Sequence, residues 1–285
     1  MLVTSKEMFE EAQKGGYAIP AANMIDYDTA KWHVEVAEVM GMPLILGICE
    51  SHMNRLVDLE EAARIALYLA KRASVPVVVH LDHGETVETA KKAVDLGFSS
   101  VMLDASTEPF GVNVERTKEV VTYAHARGVM VEAEIGHVGT GGTYASRECD
   151  NIYTRVEEAT SFVEQTEVDS LAVSIGTAHG LYKGNGIPKI NFDRLHELRN
   201  WVKAPLVLHG GSSSGDENLH RCATEGIVKI NIYSDLIVSA AKEVLALPLK
   251  EVEEPDYYKI KEASRRGMQN CLRHCYEVFA THPIK

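Results

Sequence analysis

Short apolar runs recur along the chain, separated by longer stretches in which apolar residues return every third or fourth position. Eight of the short runs are predicted strands: 17–23, 43–48, 75–82, 99–104, 129–135, 169–175, 205–210 and 227–232. Pro76–Val79 (PVVV), Val129–Val131 and Pro205–Leu208 (PLVL) show no polar alternation. Strands covered on both faces have that pattern, as in parallel sheets. Between the runs, residues 58–73 place Leu59, Ala62, Ala63, Ala66, Leu67 and Ala70 on one helical stripe. Asp58 stands at the N-cap position with Glu61 three residues on, in the manner of a capping box. Residues 85–96 and 113–127 repeat the helical pattern, and Gly97 and Gly128 stand where C-caps are wanted. A further helical pattern covers 256–280.

Strand and helix alternating eight times predict an α/β fold of the (β/α)8 TIM-barrel type, with an additional C-terminal helical segment. An open dinucleotide-binding sheet would carry GxGxxG after its first strand, and that fingerprint is absent. No linker, internal repeat or low-complexity segment divides residues 1–285, so one barrel domain is expected. The length of 285 residues suits it, since such a barrel takes roughly 250.

Charge narrows the partners. Lys and Arg total 29 against 41 Asp and Glu, a net charge of −12, which argues against nucleic acid. An anionic small substrate stays open, because a local cationic cluster can sit within an acidic surface. No apolar run approaches the roughly 20 residues of a membrane span. The opening MLVTSKEMFEEAQKGG lacks the basic and apolar segments of a secretory signal. Five cysteines without a CxxC pair suggest free thiols in a reducing cytoplasm. Cys271 and Cys275, one helical turn apart around His274, read as a partly buried helix face.

The chemistry gathers at the strand ends, where barrels carry their sites. Strand one ends at Asn23, strand three in His80-Leu81-Asp82-His83-Gly84, strand four at Asp104 and strand five at Glu134. Strand six runs into Gly176–Gly180, strand seven into His209-Gly210-Gly211-Ser212, and strand eight ends at Asn231. Core packing does not explain so many polar residues, which cost free energy when buried unpaired. His83, His179 and His209, each beside a glycine, suit a catalytic metal site of three protein ligands and one open position. Asp82 neighbours a proposed ligand; adjacent residues on a regular strand face opposite ways, so both reach the site only if the strand end is irregular. Asp104 and Glu134 are candidates for orienting the histidines, or for a second metal position. Gly210–Gly215 (GGSSSG) before a helix, with Asn231–Asp235, form a candidate phosphate site of exposed backbone N–H groups. A metal-dependent hydrolase could use similar groups, but it usually begins with an HxH pair on strand one, and strand one has no histidine.

At these residues the sequence strongly resembles the class II fructose-bisphosphate and tagatose-bisphosphate aldolases. HLDHG at His80–Gly84, GFSSVMLD at Gly97–Asp104, VEAEIG at Val131–Gly136, SLAVSIGTAHG at Ser170–Gly180, LHGGS at Leu208–Ser212 and KINIYSD at Lys229–Asp235 carry the resemblance, which runs from about Gly16 to the C-terminal helix. It implies retro-aldol cleavage of a phosphorylated ketose to dihydroxyacetone phosphate and an aldehyde. His83, His179 and His209 would hold Zn²⁺, and Asp82 would handle the proton on the C4 oxygen. Gly180, Lys183, Gly211, Ser212, Asn231 and Ser234 would hold the triose phosphate, with Asn23 and Gly210 as further substrate-binding candidates. Gly180 and Gly211 would also help hold Na⁺ or K⁺. Arg265 resembles an arginine that reaches the far-end phosphate across a subunit boundary, so a homo-oligomer, dimer or tetramer, is implied.

The sequence also departs from the family pattern. Strand one reads Ala21-Ala22-Asn23 where relatives carry an aromatic before the asparagine. Gly47, Cys49 and Ser51 stand where relatives have Gln, Ser and Gly. Ser213 replaces a glycine of the phosphate loop. The loop after strand five lacks a Gln-Glu-Asp run whose glutamate exchanges the triose C3 proton; Glu148 is the nearest carboxylate and the candidate for that role. These changes point to a far end unlike that of fructose 1,6-bisphosphate, and they leave a non-catalytic accessory subunit as the other reading.

Overall fold

The strands order themselves by burial. In the computed structural model, which describes residues 1–53, 55–136, 138, 153–182, 186–248 and 256–284, eight parallel strands close a barrel in chain order. They are β1 (Ile19–Asn23), β2 (Leu44–Cys49), β3 (Val77–Gly84), β4 (Ser100–Leu103), β5 (Met130–Ile135), β6 (Ser170–Val173), β7 (Leu206–Leu208) and β8 (Ile227–Ile232). Each expected strand is present, and β1 pairs with β8 to close the ring.

Side-chain alternation then sorts residues into two environments. Val77, Val79 and Leu81 of β3, with Val131, Ala133 and Ile135 of β5, face the surrounding helices in one large core. Ile19, Ala21, Ile45, Val78 and Val228 point the other way and meet Met8, Phe9 and Ala12 of α1 (Ser5–Gly15), which closes the barrel floor. Nearer the mouth the inward face turns polar: His80, Glu132 and Lys229, then Asn23, Asp82, Glu134 and Asn231, all buried. A barrel interior filled in layers thus changes from apolar to charged as it nears the C-terminal mouth.

The helices are α2 (Tyr27–Met40), α3 (Leu59–Arg72), α4 (Val87–Leu96), α5 (Phe110–His125), α6 (Val156–Thr166), α7 (Phe192–Trp201), α8 (Asp216–Glu225), α9 (Ser234–Leu245) and α10 (Tyr257–Val278). The expected capping box is formed: Asp58 accepts from the Glu61 N–H, and Glu61 from that of Asp58. Gly97 caps α4 in the left-handed conformation with φ of 97°. The α5 boundary differs from expectation. Pro109 fixes its N-cap before residue 113, and its C-cap is Ala126, with Gly128 turning two residues later at φ of 71°. No described helix is long and apolar enough to cross a membrane.

The C-terminal segment α10 packs on α9 and α2. Its backbone approaches α9 so closely that a Cβ on Gly267 would collide with the carbonyl of Ser239. Gly267→Ala should therefore destabilise, although alanine favours helix by about 1 kcal/mol. Overpacking costs about 1–3 kcal/mol, so a lower midpoint in denaturant unfolding is expected, and an unchanged or raised midpoint would contradict this packing.

Candidate active site

Asp82 and His83 both reach the mouth because β3 breaks its own pattern. His83 has φ of 49°, and the pairing of β3 with β4 shifts register between Leu81 and Gly84. A left-handed non-glycine residue costs free energy and is held only where its surroundings determine it. Here the break turns His83 towards the site that Asp82 already faces.

His83, His179 and His209 offer nitrogens that lie within 4.8 Å of one another, as do ligand atoms of His83, Asp104 and Glu134. The ring centroids of His83 lie 4.8 Å from His179 and 4.5 Å from His209. His83 and His209 each have one nitrogen committed behind the ring. His83 Nδ1 lies 2.8 Å from Asp104 Oδ2, and His209 Nε2 lies 3.0 Å from Glu132 Oε1. The forward atoms, His83 Nε2, His209 Nδ1 and Glu134 Oε2, are buried without hydrogen-bond partners. Converging, unsatisfied imidazole nitrogens backed by carboxylates fit a tetrahedral N-ligand metal such as Zn²⁺. Glu134 also accepts from the Val138 N–H at 3.0 Å, and its other oxygen lies 3.4 Å from His209 Nδ1.

Electrostatics without metal point the same way. Burial would lower the His209 pKa, but the hydrogen bond to Glu132 and the nearby carboxylate of Glu134 outweigh it and raise it to about 10. Burial, then the charges of His83 and His209, push His179 down to about 3. Burial alone would raise Asp82, yet His83, His209 and Lys229 hold it well below the carboxylate range. The imidazoles, with Lys229 beneath them, thus keep Asp82, Asp104 and Glu132 ionised.

Asp82 is braced from two sides. Asn23 Nδ2 donates to one of its oxygens and Asn231 Nδ2 to the other, each at 2.7 Å. Both amides are donors, so they hold the carboxylate in its charged, proton-accepting form.

Beside the histidines, Gly210, Ser213 and Gly215 all adopt left-handed φ, of 66°, 60° and 86°. A Cβ on Gly210 or Gly211 would meet the backbone of Ala178 or Asn231. Ser213, the residue that replaces a glycine, is held in this conformation by Asp235, which accepts from its N–H at 2.8 Å and its hydroxyl at 3.0 Å. Ser212 Oγ accepts from the N–H groups of Tyr233 and Asp235, each at 3.3 Å. The loop runs into the N-terminus of α8, and Ser234 opens α9, so two helix ends flank this corner.

A cavity of about 500 Å³ joins these parts, lined by Asn23, Asp82, His83, Asp104, His179, Gly180, Gly210, Ser212, Asn231 and Ser234 among others. Arg265 lies elsewhere, on α10, ion-paired with Glu35 at 2.8 Å. Lys183 and Glu148 fall outside the described residues.

Two groups were not assigned a role from sequence. One is the layer beneath the site: Lys229 Nζ donates to both Glu132 oxygens, at 2.7 and 2.8 Å, and lies 3.1 Å from His80 Nε2. The signal was present, because His80, Glu132 and Lys229 each stand two residues before a predicted site residue on the same strand face. The other is His52 with Tyr233, whose rings stack at 4.1 Å in the cavity wall.

Known proteins place this geometry in a family. The family model for class II fructose-bisphosphate aldolase matches residues 3–282. The chain is 38% identical to a fructose-bisphosphate aldolase of Thermus caldophilus over 99% of both chains. The crystal structure of the YdjI aldolase from Escherichia coli K12 superposes with a TM-score of 0.86 at 30% identity, covering 99% of this chain and 98% of that one. A putative fructose-1,6-bisphosphate aldolase from Coccidioides immitis superposes at 0.84 with 26% identity, covering 96% and 95%. With its closed barrel and a family match over nearly the whole length, the chain belongs to the class II fructose-bisphosphate aldolases, and it is an aldolase.

Proposed function

We propose that this aldolase is zinc-dependent and reversibly cleaves a ketose 1-phosphate, or a ketose 1,6-bisphosphate, to dihydroxyacetone phosphate and an aldehyde. The observation that carries the reading is the set of buried, unpartnered nitrogens on His83 and His209 that converge with His179 beside an ionised Asp82.

His83, His179 and His209 would hold the metal, with Asp104 and Glu132 fixing the rings of His83 and His209 from behind. Bound there, Zn²⁺ supplies a Lewis acid for the negative charge that builds on the triose oxygens during cleavage. Glu134, whose outward oxygen is unpartnered, offers a second resting position together with His83 and Asp104. Asp82 takes the proton from the C4 hydroxyl in cleavage and returns it in synthesis. Asn23 and Asn231 keep its carboxylate aimed and charged.

The phosphate goes to the corner formed by Gly180, Gly210, Gly211, Ser212 and Ser234, where backbone N–H groups and helix N-termini favour an anion. Lys183 adds its charge in this reading, and Na⁺ or K⁺ shares the corner through Gly180 and Gly211. Glu148 exchanges the triose C3 proton. Arg265 serves a neighbouring subunit of a homo-oligomer.

The test is a coupled assay for dihydroxyacetone phosphate together with metal analysis. Release of the triose phosphate from fructose 1,6-bisphosphate, tagatose 1,6-bisphosphate or a related ketose 1-phosphate is expected, lost with chelator and restored by Zn²⁺. Chelator-resistant turnover would refute the zinc requirement. Stoichiometric zinc without cleavage of any of these would favour the accessory-subunit reading. Replacing any one of the three histidines by alanine should lower zinc affinity at least 10-fold by equilibrium dialysis, the smallest effect typical even of groups outside the ligand set.

A further inference from the structure

Three of the departures from the family pattern, Gly47, Cys49 and Ser51, lie on or just after β2, beside the strand that carries Asp82. The phosphate corner lies on the β6–β8 side of the mouth. Asp82, acting at the C4 oxygen, stands on β3, and its partner across the ladder is Cys49 of β2. A chain whose triose end fills the phosphate corner and whose C4 oxygen meets Asp82 can continue through the cavity beside β2, the strand whose Cys49 is paired with Asp82. There the cavity wall consists of Cys49, Ser51, His52 and Tyr233.

His52 stands out within this wall. It follows β2 in a 3₁₀ turn, Glu50–His52, and the turn is tied down from outside. Glu50 accepts from the Glu85 N–H at 2.6 Å and from the Thr89 hydroxyl at 2.8 Å. The imidazole lies against the Tyr233 ring at 4.1 Å and 31°, which fixes its plane. Its Nδ1 is buried with no hydrogen-bond partner among the described residues. The neighbouring polar groups are already paired: Cys49 Sγ lies 3.2 Å from Ser51 Oγ. A buried ring nitrogen in a cavity wall without a partner costs free energy until a ligand supplies one.

The chemistry of that ligand follows from the ring. Burial, and then the charge of Arg55, lower the His52 pKa, while Asp82 opposes them. A neutral imidazole offers one donor and one acceptor, which matches a hydroxyl group better than a phosphate. Burial holds the Cys49 thiol and the Tyr233 phenol in their neutral forms, Ser51 carries no charge, and of the charges that act on His52, those of Asp82 and Arg55 are of opposite sign.

We propose that His52 determines specificity for the aldehyde half of the substrate, hydrogen-bonding a hydroxyl beyond C4 of a polyhydroxylated aldehyde. The proposal rests on the aldolase reading above, with the triose phosphate held at the β6–β8 corner.

The test runs the enzyme in the synthetic direction. Dihydroxyacetone phosphate is offered with acetaldehyde, which has no hydroxyl, with glyceraldehyde, and with glyceraldehyde 3-phosphate. Wild type and His52→Phe are compared, because phenylalanine keeps the stack on Tyr233 and removes both nitrogens. Exchange of the triose C3 proton, which needs no aldehyde, reports on the metal and phosphate halves alone.

The preference in kcat/KM for glyceraldehyde over acetaldehyde should fall about 10-fold in the variant, mainly through KM, while C3 exchange and zinc content hold. Should His52→Phe fail to fold, His52→Leu is read in the same way, and His52→Gln, with one donor and one acceptor, should rescue the preference. An unchanged preference, or an equal fall with both aldehydes, would overturn the proposal. A loss confined to glyceraldehyde 3-phosphate would overturn it in favour of an anion site. A wild-type enzyme that neither exchanges nor condenses would instead remove the aldolase reading on which it stands.

Discussion

Asp82→Asn is expected to lower kcat by about 10²- to 10⁴-fold, the usual contribution of a positioned acid–base group, with zinc still bound. The carboxylate is buried and held ionised by surrounding cationic groups, and both its oxygens are occupied by amide donors, Asn23 and Asn231. An asparagine cannot accept a proton at the C4 oxygen. It also places its own NH₂ against one of two other NH₂ groups, so one amide must turn or lose its bond. The measurement is steady-state cleavage alongside zinc content and triose C3 exchange. Exchange should survive better than cleavage if Asp82 has the role at C4 proposed for it. A kcat within about threefold of wild type would remove Asp82 from the proton transfer.

The second large effect lies below the site. Lys229→Met should destabilise by about 3–5 kcal/mol, as expected when one partner of a buried ion pair is removed. Lys229 and Glu132 are 0% and 1% exposed, and the lysine supplies the cation for both carboxylate oxygens. Denaturant unfolding reads this loss. The double variant Lys229→Met with Glu132→Gln removes both charges and should regain much of the stability. It should not regain the metal: Glu132 also accepts from His209 Nε2 at 3.0 Å, and a neutral amide makes the imidazole a weaker ligand. A 10- to 100-fold weaker zinc affinity is expected in the folded double variant. Wild-type zinc affinity there would show that the pair serves folding alone.

The barrel could be read from the sequence because its physical causes are local. PVVV and PLVL carry the mark of strands buried on both faces, and Asp58 with Glu61, or Gly97 after α4, mark helix ends. The α5 ends were misplaced by a few residues because Pro109 and Ala126 set them rather than an apolar stripe. The candidate residues that line the mouth cavity, among them Asp82, His83, Asp104 and His179, could be picked out by type and position: histidines and carboxylates at the ends of predicted strands have no place in an ordinary core. What could not be read was how they turn. Nothing in HLDHG shows that His83 takes a left-handed φ, yet that single turn lets Asp82 and His83 share one cavity. The His80–Glu132–Lys229 layer was missed for another reason. Its members lie far apart in sequence, and only the closed ring brings β3, β5 and β8 together at one height.

The left-handed backbone at His83 has a consequence for how the protein responds to heat. A strained residue of this kind costs on the order of 1–3 kcal/mol, and in the free protein its forward nitrogen is buried and unsatisfied as well. A ligand that engages only the folded chain at that nitrogen adds RT ln(1 + [L]/Kd), about 4 kcal/mol at a thousandfold excess over Kd. The strand irregularity that aims the ligand and the thermal resistance of the whole barrel are thereby linked. On the zinc reading, the melting temperature of this chain is expected to track how fully its mouth is loaded, and melting in two steps is the expected mark of a mixture of filled and empty molecules.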